Sequence, residues 1–308
     1  MAVTSTKIYA NTLAVQYASR LDGERLRRVA EAKTVAEGMR MLGDYGYSFL
    51  SGSTIDGFVV EETNRLIEFI ADCAANESIA NALVLPFLYN NVKLAYKSRY
   101  VDIPQDSYYR LDIDTDKIAN GDYTDCDKTL AEALGYLDSE NERKPQNIDI
   151  AITNAMYDNL CSSKDRLLRK YFKAEVDMKN ILTAARMRRL NIKREDEFIP
   201  GGKINIDDLV EAATGKDFGL LFVRTPYAEM AERLEQSNFE NLYEFERESD
   251  EHLFYMTDSL CQDMSSYEPF LNYYTRARIE LKAIKTALVC VKTDSRQTFF
   301  ERMPDIYR

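Results

Sequence analysis

Apolar side chains recur along this chain of 308 residues at intervals of three and four, the period that puts them on one face of an α-helix. Two helical segments are expected at the start, over 8–31 and 34–43. In the first, Tyr9, Leu13, Tyr17 and Leu21 form one stripe. Thr34, with Glu37 three residues on, has the spacing of a capping box and opens the second. GDYGY at 43–47 interrupts the pattern, and SGSTIDG at 51–57 is a loop by composition. A long helical region is expected from 60 to 100, broken or bent near Pro86, because proline lacks the amide hydrogen and collides with the preceding turn. Helices follow over 127–137 and 148–161, separated by the polar segment SENERKPQNID. FIPGGKI at 198–204 is the clearest break: its proline is expected to end the preceding helix, and its paired glycines permit a turn closed to larger residues. NIDDLVEAA, TPYAEMAERL and NLYEFERESDEHLFYM supply further helices, and a final one covers 268–293. FGLLFV at 218–223 is the segment whose composition best suits a strand. The fold class is all-α.

One helical phrase returns. Tyr171, Ala174, Met178, Ile181 and Ala185 share a face. Adding 103 to each number gives Tyr274, Ala277, Leu281, Ile284 and Leu288; subtracting 89 gives Ala82, Leu85, Tyr89, Val92 and Tyr96. Polar positions follow the same register. Asn91 coincides with Asn180 (Ala283 in the last copy), Asp177 with Glu280 (Leu88 in the first), and Lys97 with Arg186 (Val289 in the last). Three repeated bundles explain this spacing. Units of that kind gain stability from their neighbours, which favours a structural role over a single catalytic pocket.

Composition agrees with helix: glycine numbers 12, proline 7, and tryptophan is absent. With 51 acids against 40 Lys and Arg, the net charge of −11 disfavours nucleic acid as a partner, since the phosphate backbone would be repelled. Residues 102–149 hold 13 acids and 5 bases, most of the excess, and form either a solvated face or a surface that meets a basic partner. The five cysteines lie at least 29 residues apart, without the close pairs of a zinc site, and an odd number suits plain thiols in a reducing compartment. MAVTSTKIYANTLA lacks the apolar core of a signal peptide, and no apolar run approaches the ~18–20 residues that span a bilayer. The chain is expected to be cytoplasmic, or attached to a membrane through another protein.

Candidate chemistry is sparse. TGKDFG at 214–219 hints at a phosphate loop, but Val210 stands where the earlier glycine belongs and Asp217 where serine or threonine is needed. A helix-ending glycine is the better reading. Asp112, Asp114 and Asp116 alternate like the start of a calcium loop. Lys117 and Tyr123 replace its turning glycine and its bidentate glutamate, which leaves exposure or helix capping. His252, the single histidine, has no nucleophile fixed beside it. Asp177 and Glu280 have the residue type of an acid–base pair, but their spacing to later bases suits helix stabilisation. Arg186, Arg188 and Arg189 make a short basic helix end, a candidate partner contact. No catalytic, cofactor or metal site is expected.

The chain resembles the C subunits of the archaeal and bacterial V-type (A-type) ATPases, whose eukaryotic relatives are the d subunits. The likeness runs through YANTLAVQYASRL (9–21), PFLYNNVKLAYKSR (86–99), YFKAEVDMKNILTAARMRR (171–189), FIPGGKI (198–204) and FLNYYTRARIELKAIKTAL (270–288). It implies three similar helical-bundle domains arranged as a funnel with pseudo-threefold symmetry, over 1–103, 104–197 and 198–308. It also implies a non-catalytic socket without cofactor or metal, on the cytoplasmic side of a rotary ATPase, between the proteolipid ring and the D- and F-type subunits of the central shaft. On this resemblance the motif positions are Asn91, Lys93, Asp177, Asn180, Pro200, Gly201, Gly202 and Glu280, with Asp177, Asn180 and Glu280 bracing the helices and Asn91 with Lys93 doing so in the first domain. The acids of 102–149 are expected to orient a basic part of the shaft or stator neighbourhood. Leu88, Ala283, Lys285 and Asn154 depart from the family's usual residues. A helical repeat adaptor outside ATPases is the alternative, sharing the stripes without the PGG turn.

Overall fold

The computed structural model of the chain describes residues 21–47, 54–74, 77–140, 144–194, 197–215, 217–261 and 267–308. Among them no strand occurs. In chain order the helices are α1 (Gly23–Ala30), α2 (Val35–Asp44), α3 (Ile55–Cys73), α4 (Glu77–Lys97), α5 (Thr115–Ala119), α6 (Lys128–Ser139) and α7 (Pro145–Cys161). Then come α8 (Arg166–Leu190), α9 (Ile206–Thr214), α10 (Phe218–Phe222), α11 (Ala228–Gln236), α12 (Leu242–Asp258), α13 (Glu268–Lys292) and α14 (Arg296–Arg302).

Short polar side chains set where many of these helices begin. Asp22, Thr34, Thr54, Asp114, Asp127, Asp165, Asn205 and Asp217 each accept an amide of the first turn, satisfying donors that have no partner inside the helix. At Thr34 the expected box forms, with the Glu37 carboxylate reaching back to accept the Lys33 amide at 2.8 Å.

Several expected boundaries move. The first segment does not run unbroken to 31: Asp22 is extended and caps a new helix at Gly23, while residues 8–20 of that segment lie outside the described residues. The break expected near Pro86 falls between α3 and α4 instead, and Pro86 lies inside α4. Ile55 already starts α3, one residue after the cap Thr54, so the expected loop at 51–57 is shorter; its residues 51–53 are not described. Pro145 takes the first turn of α7, where its missing amide hydrogen costs nothing, and so shortens the polar linker. FGLLFV is not a strand. Asp217 caps it as a helix, and Phe218 and Phe222, four residues apart, bury together with Phe239 packed edge-on to Phe218. Nor does Pro200 end α8: that helix stops at Leu190, with Asn191 in the left-handed conformation at φ 52°.

Contacts group the chain into two compact units. The first comprises Met1–Val84, Gln105–Arg110 and Asp250–Arg308. Within it α13 is the central helix, packed by α1, α2, α3 and α14 around Leu26, Val29, Leu42, Phe58, Ile284, Leu288 and Phe299. The second comprises Leu85–Pro104 and Leu111–Ser249. There α8 packs against α7 and α9, α6 against α7, and α10 against α11. The three recurring sequence phrases fall on α4, α8 and α13. All five stripe residues are buried in α8 and in α13; in α4, Tyr89, Val92 and Tyr96 are buried while Ala82 and Leu85 are half-buried.

Candidate functional site

The most polar buried place in the second unit lies on α8. Asp177 and Asn180, one turn apart, are 1% and 2% exposed. Side chains of this kind are tolerated inside only when their hydrogen bonds are met. Asn180 grips both backbone groups of Ile199: its Nδ2 donates to the carbonyl at 2.8 Å, and the Ile199 amide donates to its Oδ1 at 2.8 Å. Asp177 Oδ1 accepts the amides of Lys203 and Ile204 at 2.6 and 3.0 Å, and the Tyr227 hydroxyl donates to Oδ2 at 3.5 Å. Together they clamp the 198–204 loop from both ends.

The glycines of that loop are there for space. Gly201 has φ +93°, a conformation that side chains resist. A Cβ on Gly202 would stand 2.4 Å from Asp177 Oδ1, where the carboxylate now bonds backbone. Five of the motif residues, Asp177, Asn180, Pro200, Gly201 and Gly202, therefore meet in one clamp. Burial raises the Asp177 carboxyl above its ordinary value, opposed first by the Ile204 and Lys203 amides and then by the Lys203 charge.

Glu280, at the equivalent position of α13, is fully buried. Its Oε2 accepts the Leu21 amide at 3.0 Å and the Tyr307 hydroxyl at 3.4 Å; its Oε1 accepts the Tyr47 hydroxyl at 2.5 Å. Thus both carboxylates at this register bind backbone amide and tyrosine hydroxyl. Each does so within its own unit. In α4, Asn91 is 1% exposed, and the Lys93 Nζ donates to Thr153 Oγ1 at 2.6 Å. Burial lowers the Lys93 pKa, with Asp149 pulling the other way.

The clamp has a counterpart that the apolar stripes do not mark. On α3 the Asn64 Oδ1 accepts the Arg110 amide at 2.8 Å, and Glu61 Oε1 accepts Arg110 Nη2 at 2.8 Å. Glu61 and Asn64 in EETN have the spacing of Asp177 and Asn180 in DMKN, and that acid-to-asparagine interval was the available signal. The cluster around Asp138 had none. Its carboxylate accepts Arg99 Nη1 at 2.7 Å and the hydroxyls of Tyr96 and Tyr123 at 3.0 and 2.6 Å, while Arg99 stacks 4.3 Å over the Tyr96 ring.

Other candidates resolve into local roles. Asp114 caps α5 through the Lys117 amide at 3.0 Å, with Asp112 and Asp116 exposed. Gly215, at φ +117°, ends α9, and Lys216 lies outside the described residues. His252 is half-buried on α12. Arg186 pairs with Glu246, Arg188 donates to the Ala212 carbonyl at 2.8 Å, and Arg189 is exposed. Part of the 102–149 acid is met within the unit: Asp149 pairs with Lys97 and Asp125 with Lys117, each at 2.7 Å. Among the described residues no group of acids, histidines and cysteines could hold a metal ion, and no helix is long and apolar enough to cross a membrane.

The family model for the ATP synthase (C/AC39) subunit matches residues 12–300, nearly the whole chain. No curated protein matches it.

Proposed function

Because the chain belongs to the ATP synthase (C/AC39) subunit family, we propose that it is the non-catalytic central-stalk subunit of a rotary V-type or A-type ATPase. In this role it is a socket, peripheral on the cytoplasmic face, that joins the proteolipid ring to the D- and F-type subunits of the shaft and so couples ATP turnover to ion transport. Three helical domains, 1–103, 104–197 and 198–308, form the funnel that grips the shaft. Asn91, Lys93, Asp177, Asn180, Pro200, Gly201, Gly202 and Glu280 keep it stiff.

One observation carries this reading beyond family membership. At the same register of two long helices, a buried carboxylate is spent on holding distant backbone: Lys203 and Ile204 for Asp177, Leu21 for Glu280. Acids used this way are poor candidates for chemistry, because their lone pairs are occupied and solvent is excluded. They are well suited to rigidity. A torque-bearing body needs close packing and tied loops, since a yielding segment would absorb a rotation step as local rearrangement.

The test is a tagged chain extracted from its own membranes in mild detergent. Proteolipid, shaft and catalytic subunits should co-purify, and membranes lacking the chain should lose ATP-driven ion transport. Transport that persists without the chain would overturn the reading, as would nucleotide turnover by the purified chain that disappears in Asp177→Ala.

A further inference from the structure

Helices α6 and α7 and the clamped loop enclose a groove of about 620 Å³ on the second unit. Ala133 and Tyr136 line it from α6, Ala151, Asn154 and Asp158 from α7, and Pro200 from the loop. The intervals on both helices are three or four, so each wall is a helix face running the length of the groove. From Ala151 to Asp158 that length is about 10 Å at the α-helical rise, two turns of a third helix lying between them. Small residues at Ala133 and Ala151 let a backbone come close, and Tyr136, 58% exposed, offers an aromatic side chain at the rim.

Charge says what kind of helix fits. Asp158 is the one charged residue in the described lining, is exposed, and pairs with no cation among the described residues. Most of one wall comes from the stretch 102–149, with its 13 acids and 5 bases. Asn154 adds a buried Oδ1 with no hydrogen-bond donor, a deficit that a donor on a docked chain removes once the side chain rotates. The groove is apolar along its floor, acidic at one end and holds one buried acceptor without a donor. We propose that it receives one amphipathic helix of another subunit of the complex, with a small or apolar stripe facing Ala133 and Ala151 and a lysine or arginine facing Asp158. This rests on the stalk-subunit reading. It also gives the internal clamp an external consequence: Asn180 holds Ile199, next to Pro200, and thereby fixes the groove's third wall.

The experiment uses the assembled complex. Tyr136 is replaced by the photo-cross-linker p-benzoylphenylalanine, the membranes are irradiated, and the adduct is mapped by mass spectrometry. A lysine- or arginine-bearing helical segment of another ATPase subunit is the expected product. Asp158→Lys should reduce that adduct about tenfold, the equivalent of one lost charge contact of about 1.4 kcal/mol, without shifting the melting temperature of the isolated chain. Ala151→Trp should block it. If Ala151→Trp does not fold, Asp158→Lys decides alone, and undiminished cross-linking by that folded variant overturns the proposal. Adducts to a second copy of this chain, to its own residues or to nothing overturn it too. Recovery of the whole ATPase with no adduct sinks the groove only; recovery of the tagged chain without any ATPase subunit sinks the functional reading beneath it.

Discussion

Asp177 is held by donors and disfavoured by burial, and burial is the larger effect, since its pKa lies above the ordinary 3.8. A carboxyl raised on folding binds more protons in the folded state than in the unfolded one over the interval between the two pKa values. Its contribution to stability is therefore complete below the unfolded value and is lost as pH rises through the folded value. Asp177→Asn keeps an acceptor for Lys203 and Ile204, offers a donor to Tyr227 and has no charge to bury. Its melting temperature should exceed that of the wild type at neutral pH, and the gap should close on acidification. A gap that widens towards low pH would refute the assignment. Asp177→Ala, which leaves both amides without an acceptor, should lose about 2–4 kcal/mol in denaturant unfolding.

At the scale of single elements, α4 shows how packing overrides a local rule. Pro86 deletes one helical hydrogen bond and crowds the preceding turn, a cost of about 3 kcal/mol. The helix continues because Tyr89, Val92 and Tyr96, all beyond the proline, are buried on one face. The tyrosine hydroxyls are also used: Tyr89 donates to Asp127 at 2.8 Å and Tyr96 to Asp138 at 3.0 Å. Pro86→Ala should accordingly raise stability by about 1–3 kcal/mol, read as a higher denaturation midpoint at unchanged slope. A lower midpoint would mean that the proline's shape, rather than its neighbours' burial, sets the course of α4. The end of α8 teaches the complementary lesson. Asn191 stops it by a left-handed cap well before the PGG turn, so the glycines serve the clamp and not the helix end.

For the molecule as a whole, the buried acids are ties between remote parts of the chain. Glu280 binds Leu21, Tyr47 and Tyr307, reaching from the last long helix to both ends of the described chain. Glu280→Ala should speed amide hydrogen exchange at residues 21–47 and 303–308 by about 10- to 100-fold, while the clamp at 198–204 keeps its protection. Uniform acceleration across both regions would mean that Glu280 supports the entire fold instead of its own unit.

Helix content, the buried stripes of α8 and α13, the cap at Thr34 and the near-coincident limits of α13 were all legible in the residues, because each depends on neighbours within a turn or two; that α14 follows the helix expected to be final was not. Asp177, Asn180 and Glu280 also stood out in the sequence, as polar residues at repeated places beside the apolar stripe. What those side chains hold was decided only by tertiary structure. Leu21 and Glu280 are 259 positions apart, and nothing local in either marks the other. The same holds for Asn64 with Arg110 and for Asp138 with its arginine and two tyrosines. A helix is selected by bonds inside its own turn, but a buried polar group is satisfied by whatever the folded chain brings to it, and that depends on every other element being in place.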